Sequence, residues 1–69
     1  MKPIAQAHDE LLIAIAVLEE RQTDAYNAKK NREMEMLDIY EAKVSQARKQ
    51  VVESAKEFVY YLSEAEIKF

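Results

Sequence analysis

The chain has 69 residues with a formal net charge of −3, and it contains no cysteine and no glycine. A chain this short forms one domain, and it buries only about 60% of the surface that it exposes when unfolded, so a monomeric core is marginal. The absence of cysteine excludes disulfides and thiolate metal sites, which leaves oligomerisation as the means of stabilising the core. The 13 acidic and 10 basic residues lack the basic excess that is typical of nucleic-acid-binding proteins.

The first predicted element is a helix over residues 3–28. Pro3 suits its first turn, where the missing N–H removes no hydrogen bond. Apolar residues recur there at helical spacing, with His8 and Gln22 in the gaps: Ile4, Leu11, Ile15, Leu18 and Ala25. The segment Leu11–Leu18 is apolar around the whole helix, so one partner helix covers only one side of it.

A turn is predicted within residues 27–32, close to the midpoint of the chain. Lys29 and Lys30 suit the C-terminal end of a helix, and Asn31 is the best residue available for a left-handed cap. A rival break lies at Thr23–Asp24, where either residue suits an N-cap. A continuous helix forming a long coiled coil is the third arrangement, because no internal glycine or proline interrupts the chain.

The second predicted helix covers residues 33–67 and carries two apolar stripes. The main stripe consists of Leu37, Tyr40, Val44, Ala47, Val51, Ala55, Phe58, Leu62, Ala65 and Phe69. The second stripe consists of Val52, Val59, Tyr60 and Ile67. A single neighbouring helix covers one stripe and leaves the other in water.

These elements predict an all-α fold in which residues 1–69 form one antiparallel two-helix hairpin. Its surplus apolar surface is expected to be buried by pairing with a second copy into a four-helix bundle. The expected oligomer interface comprises Leu11, Leu12, Ile15, Leu18, Val51, Val52, Phe58, Val59 and Leu62.

Two further sets of residues are candidates for binding. Tyrosine and methionine offer adaptable apolar contact area, and adjacent tyrosines lie about 100° apart on a helix, so Tyr60 is expected outside the hairpin core. The candidate partner surface comprises Tyr60, Ile67, Met34 and Met36. The candidate phosphate contacts are Lys29, Lys30, Arg32, Lys43, Arg48 and Lys49, which equally suit a helix C-terminus and a solvated face.

No residue pattern indicates catalysis or metal binding. His8 has Asp9 and Glu10 beside it, but adjacent side chains on a helix diverge and do not converge on one ion. Di-iron bundles use Glu-x-x-His pairs, and the sequence contains none. We therefore predict no catalytic residues, no metal and no cofactor, and a protein that is not an enzyme.

The favoured function is a protein-interaction or regulatory module that acts through a helical-bundle surface and pairs with itself and another protein. A nucleic-acid-binding hairpin dimer and a small subunit or assembly factor of a larger complex are the alternatives. The apolar run of eight residues is too short to span a bilayer, which needs about 20, so we expect no membrane insertion and a cytoplasmic location. In architecture alone, the predicted hairpin resembles small helical regulators of phages and plasmids.

Overall fold

The computed structural model describes residues 2–67, and the side chains of residues 2–64. Helix α1 spans Ile4–Lys30 and helix α2 spans Met34–Ile67, and the two pack against each other as a hairpin about 54 Å long. The prediction of an all-α helical hairpin is therefore confirmed. Because α1 runs unbroken through Thr23–Asp24 and ends at Lys30, both the rival break and the continuous helix are wrong. Over the described residues, neither helix is long and apolar enough to cross a membrane.

The two helices meet along a seam whose residues alternate in steps of three and four. All of its members are buried or half-buried. The seam residues of α1 are Ile4, Ala7, Leu11, Ala14, Leu18, Arg21, Ala25 and Ala28. Those of α2 are Leu37, Tyr40, Val44, Ala47, Val51, Ser54, Phe58 and Tyr61. This alternation is the heptad spacing of a coiled coil, in which every step returns to the same side of the helix.

Small side chains occupy the most enclosed positions of the seam. Ala7, Ala14 and Ala28 are the buried residues of α1, and α2 buries Ala47 and Ser54 together with the larger Leu37 and Val44. A methyl or hydroxymethyl group lets the two backbones approach closely, but it adds little apolar area to the core. Much of the chain's large apolar surface is consequently left outside the seam.

The predicted stripes agree with the observed seam at most positions and differ from it at one position in α1 and two in α2. On α1, Ile15 lies outside the seam and Ala14 lies within it. On α2, Leu62 is exposed and Tyr61 takes the seam position, while Ser54 is buried although the predicted stripe omitted it. The stripes were chosen for large apolar side chains, whereas the seam follows a strict heptad that admits alanine and serine. Ala65 and Phe69 lie outside the described side chains.

The turn forms a Schellman motif in which Arg32 is the left-handed residue, with φ 59°. The N–H of Glu33 donates to the carbonyl of Ala28 at 2.9 Å, and the N–H of Arg32 donates to Lys29 at 3.2 Å. Asn31, with φ −86°, is the residue that ends the helix. The prediction that Asn31 takes the left-handed conformation is therefore wrong by one residue. In a Schellman motif the left-handed residue is the one after the C-cap, which is Arg32 in this turn.

Candidate interaction surface

Five large apolar side chains lie on one side of the hairpin, which we call flank A: Leu12, Ile15, Val52, Val59 and Leu62. Each follows a seam residue by one or four positions, so on both helices they project to the same side of the seam. Because the two helices are antiparallel, the flank A residues of α1 and those of α2 lie on the same face of the hairpin. The ring of His8, on this side of α1, lies 5.5 Å from the ring of the seam residue Phe58 on α2. Gln22 of α1 and Arg48 of α2, which stand on the same side nearer the turn, line one cavity, so the two halves adjoin.

The residues of flank A are 37% to 57% exposed, with Val59 at the upper limit. The nine residues of the expected oligomer interface thus fall into two groups. Leu11, Leu18, Val51 and Phe58 are half-buried in the seam, where they contribute to the hairpin itself. The other five make up flank A and remain available to a partner.

The aliphatic side chains of flank A lie at the open end of the hairpin, and toward the turn Tyr26 also stands on this side, 66% exposed. Toward the turn, the same side is lined by polar residues around a cavity of about 380 Å³. Its lining includes Gln22, Glu41, Ser45 and Arg48. Flank A is therefore an apolar patch with a polar continuation along the same face.

The opposite side, flank B, carries Ile13 and Val17 from α1 and Gln50 and Glu57 from α2. These residues line a groove of about 400 Å³, whose floor includes Ala14 and other small seam residues. Ile13 is 63% exposed, which makes it as accessible as any residue of flank A. Among the described residues, Ile39 and Tyr60 of α2 also stand on this side, but Gln50 and Glu57 line the groove beside Ile13 and Val17, so flank B is mixed in polarity.

Lys2 joins the two helices at the open end of flank B. Its ammonium group lies 2.7 Å from a carboxylate oxygen of Glu10 on α1 and also pairs with Glu57 on α2. The hydrogen bonds to Glu10 and Glu57 raise the pKa of Lys2, and the hydrogen bond from Lys2 lowers the pKa of Glu10. No local pattern in the sequence indicates this three-residue link, because it depends on how the residue before Pro3 meets α2 near its C-terminal end.

The candidate partner residues do not form one surface. Tyr60 is exposed and stands on the side of α2 that belongs to flank B, with its ring 5.4 Å from that of Tyr61. Its exposure agrees with the prediction that it lies outside the hairpin core. Met34 and Met36 are exposed beside the turn at the other end of the molecule. The side chain of Ile67 lies outside the described residues.

The six candidate phosphate contacts are all exposed, but they project in several directions. Lys43 and Arg48 are five residues apart, which places them about 140° apart around α2. The ammonium group of Lys43 lies 5.9 Å from the centre of the Tyr40 ring. Lys49 lies on the back of α2, and Lys29, Lys30 and Arg32 are at the turn. The set does not converge on a single groove.

The one histidine has no ligand set around it. The Nδ1 atom of His8 lies 3.9 Å from a carboxylate oxygen of Asp9, which is too long for a hydrogen bond. Within the described residues, no group of three or more His, Asp or Glu side chains is placed to hold a metal ion.

Comparison with known proteins identified no relative. The chain matches no protein-family model, no curated protein and no solved structure. Functional interpretation therefore depends on the geometry of the two flanks.

Proposed function

We propose that this chain is a non-enzymatic protein-interaction module, and that it associates with a second copy through flank A to form a four-helix bundle. The observation that carries the proposal is the exposure of five large apolar side chains on one side of a hairpin in whose seam alanine and serine take most of the buried positions. Fully burying such a side chain contributes about 1.5–3 kcal/mol, so covering the exposed half of each contributes about 1 kcal/mol.

The size of the flank is adequate for a stable interface. The hairpin measures 54 by 15 by 14 Å between Cα atoms, so one complete side presents roughly 800 Å². Standard protein interfaces bury about that area on each partner. With flank A covered, flank B and the turn are the surfaces that remain for a different protein. The exposed apolar residues there include Ile13, Val17, Met34, Met36, Ile39 and Tyr60.

Substitutions on the two flanks test this proposal with matched exposure. Val59→Glu on flank A removes half of a valine's burial in each copy and places an unpaired carboxylate in the interface. The expected weakening is about 3 kcal/mol or more, which is over a hundredfold in Kd. Ile13→Glu is the control, because Ile13 is equally exposed but stands on flank B.

Sedimentation equilibrium measures the outcome. The proposal predicts that the parent chain and Ile13→Glu are dimers and that Val59→Glu is a folded monomer, with its helical circular dichroism retained. Equal association of the two variants would contradict the assignment of flank A.

Nucleic-acid binding and a role as a subunit of a larger complex remain the alternative hypotheses. A mobility shift of DNA or structured RNA at low salt that disappears at high salt would favour the first, because phosphate contacts release counterions. A parent chain that stays monomeric would favour the second, since flank A would then be free for another chain.

A further inference from the structure

We infer that the second copy lies on flank A about a two-fold axis parallel to the helices, so that α1 of each copy packs on α2 of the other. This inference rests on the proposed function, because it specifies the geometry of that dimer. Both turns then lie at the same end of the bundle. The competing arrangement has its axis perpendicular to the helices, with α1 on α1, α2 on α2 and the turns at opposite ends.

Charge along the backs of the helices distinguishes the two arrangements. The residues farthest from the seam on α1 include Asp9 and Lys30, and those on α2 include Lys56 and Glu35; all four are exposed. His8 lies beside Phe58, and the turn joins Lys30 to Met34, so residues whose numbers add up to about 65 stand at the same height along the hairpin.

Within one hairpin, Asp9 and Lys56 lie at the same height but on opposite outer edges. Rotation about the parallel axis brings the outer edge of α1 alongside the outer edge of α2 of the second copy. It leaves the height of every residue along the bundle unchanged. Asp9 then stands beside Lys56 of the second copy, and Lys30 stands beside Glu35. Two further pairs of outermost residues stand at equal heights, Ala16 with Lys49 and Thr23 with Ala42, and neither brings like charges together. Both pairs in which each residue is charged therefore have opposite signs.

The perpendicular axis gives the opposite result when the two apolar patches are superposed. The patch extends along α2 from Val52 to Leu62, and its centre is at the height of Lys56. Rotation about that point places Lys56 beside Lys56 of the second copy, and likewise Asp9 beside Asp9. Like charges at such positions oppose association.

The overlap of the two copies also favours the parallel axis. In that arrangement α1 is covered over its full 27 residues, about 40 Å. With the perpendicular axis through the patch, about 11 residues of each α1 and about 23 residues of each α2 overlap, about 51 Å of helix in total, against about 80 Å for the two α1-on-α2 contacts of the parallel arrangement. The perpendicular arrangement therefore makes about two thirds of the contact.

A charge exchange tests the geometry independently of dimer formation. Lys56→Glu should weaken the dimer about tenfold, because both symmetry-related contacts with Asp9 become repulsive. Adding Asp9→Lys to the same chain restores opposite charges and should return Kd to within about threefold of the parent value. In the perpendicular arrangement Lys56 faces itself, so both variants keep like charges together and neither should change Kd appreciably.

Thiol crosslinking is the second readout, and the lack of native cysteine makes it specific. The double variant Asp9→Cys, Lys56→Cys, treated with a short bismaleimide, should yield a covalent dimer, and the single variant Lys56→Cys should not. A dimer that crosslinks through Lys56→Cys alone, or whose affinity the charge exchange does not restore, overturns this geometry and leaves the proposed function intact. A parent chain that is monomeric at all concentrations overturns the proposed function itself.

Discussion

The left-handed conformation of Arg32 makes the turn a site where one substitution should stabilise the protein. Arg32 has φ 59°, where a residue with a Cβ atom is strained by about 1–2 kcal/mol. Arg32→Gly removes this strain, but glycine gains freedom in the unfolded chain, which offsets about 0.4–1 kcal/mol. The net stabilisation is about 0.5–1 kcal/mol. For a domain of this size it raises Tm by about 3–6 °C, measured by circular dichroism at a fixed protein concentration.

Two control variants separate backbone strain from the loss of charge. Arg32→Ala removes the guanidinium group but retains the Cβ atom, so it should give none of the stabilisation. Asn31→Gly should lower Tm slightly, because Asn31, at φ −86°, is not left-handed and glycine only adds entropy to the unfolded state. A Tm for Arg32→Gly no higher than that of Arg32→Ala, or a higher Tm for Asn31→Gly, would refute this account of the turn.

Three further predictions concern the seam and the link at the open end. Ala7→Leu should destabilise the hairpin by about 1–3 kcal/mol in urea unfolding, because the methyl group of Ala7 is 1% exposed and leaves no room for a larger side chain, whereas Ala16→Leu, at an exposed position, should not. Ser54→Ala should change stability by less than about 1 kcal/mol, since its hydroxyl has only a 3.4 Å hydrogen bond from Gln50 to lose. Lys2→Met should reduce the loss of thermal stability on acidification. Lys2 lowers the pKa of Glu10, so the Lys2–Glu10 pair stabilises the fold above the ordinary pKa of 4.5, and this stabilisation disappears as the pH falls through the lowered pKa. Equal acid sensitivity of Lys2→Met and the parent chain would contradict the last of these.

Composition and helical periodicity were sufficient to predict the hairpin and the region of its turn. The absence of glycine, the lack of internal proline and the charges around Lys29 and Glu33 all favour two helices joined near the midpoint. Periodicity identified most of the seam, and it failed where the more apolar of two neighbouring residues was preferred: Ile15 over Ala14, Ala55 over Ser54 and Leu62 over Tyr61. Apolar residues surround α1 from Leu11 to Leu18, and the sequence offers no measure of how closely two backbones approach.

The residues of the candidate surface could be predicted only in part, because the position of the seam decides which apolar side chains stay exposed. A surplus of large apolar residues indicated that some would stay exposed, and Leu12, Val52 and Val59 are exposed on flank A. Leu11 and Phe58 were predicted both for the apolar stripes and for the oligomer interface, and they lie half-buried in the seam. The link from Lys2 to Glu57 depends on three-dimensional proximity at the open end and has no local signature.

The most direct test of the central claim is the absolute mass of the unaltered chain in solution, measured by light scattering behind a sizing column over a wide range of concentrations. The account predicts a mass of twice the 8.0 kDa chain, falling toward a single chain only on strong dilution. A folded monomer of 8.0 kDa at every concentration would contradict it, and flank A would then require a different partner.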